Sequence, residues 1–97
     1  MQMTADFPTT RGAALLATLS KHFANKIEVT TADDRAALHF EMGVARIAVA
    51  PQGLYLVLEA SDPAAMEPLR DVVERHLLRF AHREDPAPLE WSQPAQA

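Results

Sequence analysis

Hydrophobic positions change their period twice along this chain, and each change marks an element. Gly12, Leu15, Leu16, Leu19, His22 and Phe23 fall at i, i+3, i+4, i+7, i+10 and i+11, which is one face of a helix. Thr18, Ser20 and Lys21 fall off that face. Thr9 or Thr10 supplies an N-cap hydroxyl for the orphan amides of the first turn, so a helix is predicted from there to about Ala24.

From Lys26 the period becomes two. Ile27 and Val29 face one way, followed by Ala36, Leu38 and Phe40, then Ala45, Ile47 and Val49, then Leu54, Leu56 and Leu58. Turn chemistry separates these four runs: TADD at 31–34, Met42-Gly43, and APQG at 50–53. Pairing across Met42-Gly43 is predicted to set His39 opposite Arg46 and Leu38 opposite Ile47, with like faces matched.

The helical period returns after SDP. Ser61 or Asp62 caps the second helix and Pro63 takes its first position. Pro68 removes one intrahelical bond, so either the first turns are irregular or the regular helix begins there. Leu69, Val72, Val73, His76, Leu77 and Phe80 form its apolar stripe, and Asp85-Pro86 ends it. The polar start before Thr9, MQMTADFP, lies outside these elements.

Helix, four short strands in hairpins, then helix predicts an α+β domain: a four-stranded antiparallel meander with both helices on one sheet face. Residues 1–97 are expected to form a single domain with an ordered core over about 7–91. In the tail, Leu89 and Trp91 alternate as an extended segment would. Trp91 is expected to dock on the domain, and residues 92–97 to fray.

Composition narrows the classes. The chain is 48% hydrophobic and 23% charged, as a soluble globular protein is. A net charge of -4 argues against a nucleic-acid partner, since phosphate-binding proteins usually present net positive charge. Without cysteine there is no disulfide, thiolate metal site or thiol nucleophile, which suits the cytoplasm. No signal-peptide pattern and no run near the roughly 18 to 20 apolar residues of a membrane span is present, so no membrane association is expected.

Candidate chemistry is sparse. The three glycines are scattered at 12, 43 and 53 and make no phosphate loop, and no serine sits in a nucleophile elbow. His22, His39, His76 and His82 lack metal-ligand spacing, so no metal, cofactor or catalytic residue is assigned. Arg75, Arg79 and Arg83 recur every four residues along one ridge. Guanidinium groups there can clasp a carboxylate or phosphate, or simply offset the helix dipole. His22 and His76 both occupy core stripes, so their imidazoles are expected to lie close together or to flank one polar pocket. In the functional reading His22, His76, Arg79 and Arg83 hold a small anionic or metal-bound ligand. In the plainer reading each histidine is a core residue bonded to a backbone carbonyl or a neighbour. On the outer sheet face, Tyr55 and Val57 stand among charges, which points to a homodimer.

KHFANKIEV at the end of the first helix, and HLLRFAHRE followed by a tryptophan, resemble the bacterial domain of unknown function 2218. The resemblance covers roughly Thr9 to Trp91, with His22, Phe23, Lys26, His76, Arg79, Phe80, Arg83, Glu84 and Trp91 matching. Asn25 departs where relatives often carry a second histidine, which weakens a paired-histidine metal site, and His82 stands where an aromatic is common. The resemblance implies a small bacterial protein of unassigned role. Some family members lie near, or are fused to, siderophore-interacting flavoproteins, which implies a link to iron uptake. An accessory binding protein is therefore the leading expectation. The alternatives are an interaction adaptor and an enzyme using His22 or His76.

Overall fold

The computed structural model describes residues 1–92. In chain order its elements are β1 (Gln2–Pro8), α1 (Gly12–Phe23), β2 (Glu28–Ala32), β3 (Arg35–Phe40), β4 (Gly43–Ala50), β5 (Gly53–Ala60), α2 (Pro63–Phe80) and a 3-10 turn (His82–Glu84). The strands form one antiparallel sheet in the order β1-β5-β4-β3-β2. The sheet has five strands, where the pattern predicted four. The fifth is the polar start: Met3, Ala5 and Phe7 alternate with Gln2, Thr4 and Asp6, and β1 pairs with β5 from Gln2↔Glu59 to Pro8↔Gly53. Its small Ala5 and terminal proline weaken the strand signature, yet Ala5 and Phe7 are both buried. Ordered structure thus begins well before residue 7, at Gln2. The expected fraying of the tail, apart from Ser92, lies outside the described residues.

The predicted hairpin faces are kept but the register shifts by two. His39 pairs with Val44 and Leu38 with Ala45, closing a loop at Glu41 and Met42 rather than at Met42-Gly43. Gly43 is needed inside the strand instead. A Cβ there would run into the Glu59 carbonyl and the Leu69 side chain on α2. At 31–34 the turn forms as its chemistry predicts, with Asp33 in the left-handed region at φ 47° and Ala32 paired to Arg35.

Both helix boundaries move for identifiable reasons. Thr9 is still tied to the sheet through its amide and the Gln52 carbonyl (3.1 Å), so α1 starts later, with Arg11 at the N-cap and no side-chain cap. Thr9 Oγ1 instead accepts from the Arg11 amide (3.0 Å) and donates to Glu84 Oε1 (2.6 Å). Asp62 caps α2 by accepting from the Ala65 amide (2.8 Å). The helix then runs unbroken through Pro68, whose missing donor falls on an exposed face near the helix start. It ends at Phe80 rather than at Asp85, because the chain tightens into the 3-10 turn and Asp85 turns left-handed at φ 51°.

One core joins these elements. Leu15, Leu19 and Phe23 of α1 meet Leu69, Val73 and Leu77 of α2, and the sheet adds alternate positions such as Leu38, Ile47 and Leu56. The two helices contact each other as well as the sheet. The opposite strand positions, from Arg35 through Arg46 to Tyr55 and Val57, take no part in it.

Candidate functional site

The two blocks that carry the histidines meet where α1 ends beside α2. His22 is in the last turn of α1, one residue before Phe23, and His76 lies midway along α2. Their ring centroids are 5.1 Å apart at an interplanar angle of 42°. Aromatic rings enclose the pair. Phe23 lies 4.8 Å from His76, Phe80 lies 5.4 Å from His22 edge-on, and Phe40 of β3 stands edge-on to Phe23 at 5.1 Å. Edge-to-face packing of Phe23 and Phe80 on His22 suits the ring quadrupoles and helps to hold that imidazole in place.

The two imidazoles are not equivalent. His76 Nδ1 lies 2.7 Å from the Val72 carbonyl oxygen. A carbonyl can only accept, so Nδ1 carries the proton and the neutral ring keeps its lone pair on Nε2. His22 Nε2 is shut away from solvent and has no hydrogen-bond partner among the described residues. The His22 pKa is lowered from its usual value, first by burial and then by the charges of His76, Lys26 and Arg79. A neutral imidazole at this seam therefore offers a lone pair or a proton to whatever comes within reach.

Three of the four residues expected to form a ligand site gather here. His22 and His76 are neighbours, and the Arg79 charge acts on His22. Arg83 sits beyond the end of α2 on the exposed 3-10 turn, so the ridge of Arg75, Arg79 and Arg83 is cut short. Arg75 is held by Asp71 at 3.6 Å. A shallow surface cavity of about 950 Å³ runs along α2 and includes Arg75 and Arg79 in its wall, but neither histidine lines it. Among the described residues no three His, Asp or Glu side chains converge as a metal cluster.

Other polar contacts carry no sequence signature. Glu74 on α2 accepts from the Trp91 indole N–H (2.8 Å) and from the Leu89 amide (3.1 Å), and so clamps the tail. Ser92 then exchanges two backbone hydrogen bonds with Thr4 of β1, at 2.7 and 2.8 Å. Trp91 docks on the domain, as its isolation predicts. Glu74 is 17 residues from its indole, and no periodicity links them. Phe40 and Lys26 likewise join the histidine seam only through the fold.

No curated protein matches the chain. Among solved structures, the NMR structure of PA4090 from Pseudomonas aeruginosa is similar with a TM-score of 0.74 at 24% identity, covering 99% of this chain and 97% of that one. That likeness speaks for the fold. From residue 4 to residue 92, a span holding both histidine blocks and Trp91, the chain matches the uncharacterized proteins conserved in bacteria known as DUF2218, and it belongs to that family.

Proposed function

We propose that this protein is an accessory binding protein rather than an enzyme, and that it takes a small anionic or metal-bound ligand at the α1–α2 seam. The observation that carries this reading is His22 Nε2, a buried ring nitrogen with no partner among the described residues, next to a second imidazole. A polar atom shut away from solvent without a partner is unfavourable, and a ligand that engages it recovers that cost. Arg79 at the rim supplies positive charge for an anion or an anionic chelate. Iron or siderophore handling is the setting implied by the resemblance to proteins found beside siderophore-interacting flavoproteins, and a ferric chelate fits the chemistry of imidazole and guanidinium together. An enzyme would need further polar groups converging on a histidine, and the rings around this pair are phenylalanines.

The test is an NMR titration of the protein with zinc, ferrous iron, phosphate and a ferric siderophore. At least one ligand is expected to shift the His22 and His76 ring signals together, and His76→Leu is expected to abolish the response. The Val72 carbonyl keeps its helical donor, the residue 76 amide, so His76→Leu should alter stability by less than about 1 kcal/mol. No shift with any of the four, or a strongly destabilised His76→Leu in a protein that binds nothing, reduces both histidines to core packing.

A further inference from the structure

The charges that act on the histidine pair are all of one sign. Arg79 follows His76 by three residues on α2, one turn further along the helix. Lys26 is brought back to the end of α1 by a tight turn, in which the Phe23 carbonyl accepts from both the Lys26 and Ile27 amides at 2.9 Å. Both side chains are exposed, and their charges act on His22, as does that of His76. No carboxylate is among the charges that do. Acids are not scarce in this chain, since 13 Asp and Glu stand against 9 Lys and Arg. The two in this stretch of α2 are engaged elsewhere: Asp71 holds Arg75 at 3.6 Å, and Glu74 accepts from Trp91 and Leu89. From the sheet, β3 brings the uncharged Phe40, and Glu41 beyond it is exposed. Lys26 and Arg79 take part in no ion pair among the described residues.

We infer that the ligand of this seam is an oxyanion, held by Lys26 and Arg79 beside the His22–His76 pair, and that the pair takes up a proton as it binds. The inference rests on the seam being a ligand site, and it decides between the two ligand classes which that reading allows. A bare metal cation would gain imidazole lone pairs but would enter a field of unpaired cations, with no carboxylate to offset its charge. An oxyanion meets the opposite field. Its oxygens accept from the Lys26 ammonium and the Arg79 guanidinium, the donors that such groups take. The phenylalanines packed on the pair lower the local dielectric, so these charges are felt more strongly than in water.

Proton uptake follows from the same arrangement. His76 Nδ1 already donates to the Val72 carbonyl, so only Nε2 of that ring can gain a proton. With centroids 5.1 Å apart, each ring feels the other's charge, and an added proton belongs to the pair rather than to one ring. The positive neighbours that hold His22 neutral are offset by a bound anion, so anion and proton favour each other's binding. The plainer account, in which Lys26 and His22 only offset the dipole at the end of α1, predicts neither event.

Sulfate is the first probe, because its charge is constant where imidazole titrates, whereas that of phosphate is not. Citrate tests carboxylates, and zinc chloride tests the bare cation. At fixed pH, sulfate or citrate is expected to shift the His22 and His76 ring signals, and zinc is not. A response to sulfate identifies a tetrahedral oxyanion, and a response to citrate alone a carboxylate ligand. Calorimetry in buffers of different ionisation enthalpy should show uptake of up to about one proton per anion. Affinity should rise as pH is lowered from about 7.5 to about 5.5. Lys26→Gln and Arg79→Gln should each weaken binding about tenfold, and Lys26→Arg should bind as the wild type does. Amide NMR spectra matching the wild type certify that these exposed-residue variants are folded. Ring shifts with zinc but with neither anion overturn this inference and leave the seam a metal site. Silence with all three overturns the seam as a ligand site as well. Anion binding without proton uptake, or unchanged in both glutamine variants, also overturns the inference.

Discussion

The half-buried His22 imidazole, whose Nε2 has no partner among the described residues, resists taking a proton, and that reluctance has a consequence for stability. The His22 pKa is depressed in the folded protein, by burial above all, whereas in the unfolded chain it returns to near 6.5. As pH falls below that value the unfolded chain binds the proton more readily than the folded one. The unfolded state then gains. Stability tied to His22 is therefore fully present above about pH 6.5 and is lost as pH falls from there toward the folded pKa. Glu59 gives a second, lower window. Hydrogen bonds from Gln2 and Arg46 depress its pKa below 4.5, so its contribution holds above that pH and is lost on further acidification. Between pH 7.5 and 5.5 the thermal midpoint of the wild type should fall, and that of His22→Gln should fall less. Parallel curves for the two proteins would show that His22 titrates as it does in the unfolded chain. The same nitrogen, without a partner among the described residues, makes His22 the sharper probe of ligand binding, since a guest that engages it changes its environment directly.

At the scale of elements, Glu74 decides whether the tail belongs to the domain. One carboxylate takes both the Trp91 indole N–H and the Leu89 amide, and Ser92 adds its bridge to β1. Hydrogen bonds to a charged acceptor contribute about 1.5–3 kcal/mol each at best, and a segment past two prolines needs such contacts to offset its ordering entropy. Glu74→Ala is expected to shift Trp91 emission to the red while the far-ultraviolet circular dichroism stays unchanged. An unshifted maximum would mean that the apolar contact alone holds the ring. This clamp also shows where sequence reading stops. The stripes of α1 and α2 and the alternation of β2 to β5 were legible because each repeats a spacing the eye can count. The meeting of His22 and His76 followed from the same stripes. Contacts made once, between residues far apart, repeat nothing: Glu74 with Trp91, Thr9 with Glu84, Phe40 with Phe23. The hairpin register at Glu41-Met42 was hidden for a related reason. Gly43 looks like a turn residue, yet its role is set by β5 and α2 across the sheet. β1 was hidden because Ala5 is small and three of its outward residues are polar, so a strand with only Met3 and Phe7 as large apolar groups reads as a polar leader.

For the whole molecule, β1 matters more than its weak signature suggests. It pairs with the last strand in sequence, from Gln2↔Glu59 to Pro8↔Gly53, and so joins the two ends of the fold. Without it, β5 becomes an edge: its outward amides and carbonyls lose their partners, and Leu54, Leu56 and Leu58 lose the cover of Ala5 and Phe7. Gly53 records how tightly the join is made, since a Cβ there would run into the Phe7 carbonyl. Phe7 is buried in the main core, and Phe7→Ala is expected to cost about 3–5 kcal/mol. A domain of this size is stable by only about 5–15 kcal/mol in total, so that single change should leave a marginal protein. Deleting residues 1–8 should remove the cooperative thermal transition altogether, since it strips β5 of its pairing as well as the core of Phe7. Calorimetry decides the point. A truncated chain that still melts cooperatively within a few degrees of the full-length protein would show that β2 to β5 and the two helices form a self-sufficient core, with β1 an appendage. The register argues otherwise, because seven consecutive pairs bind β1 to the strand from which the chain passes directly into α2 and the histidine seam.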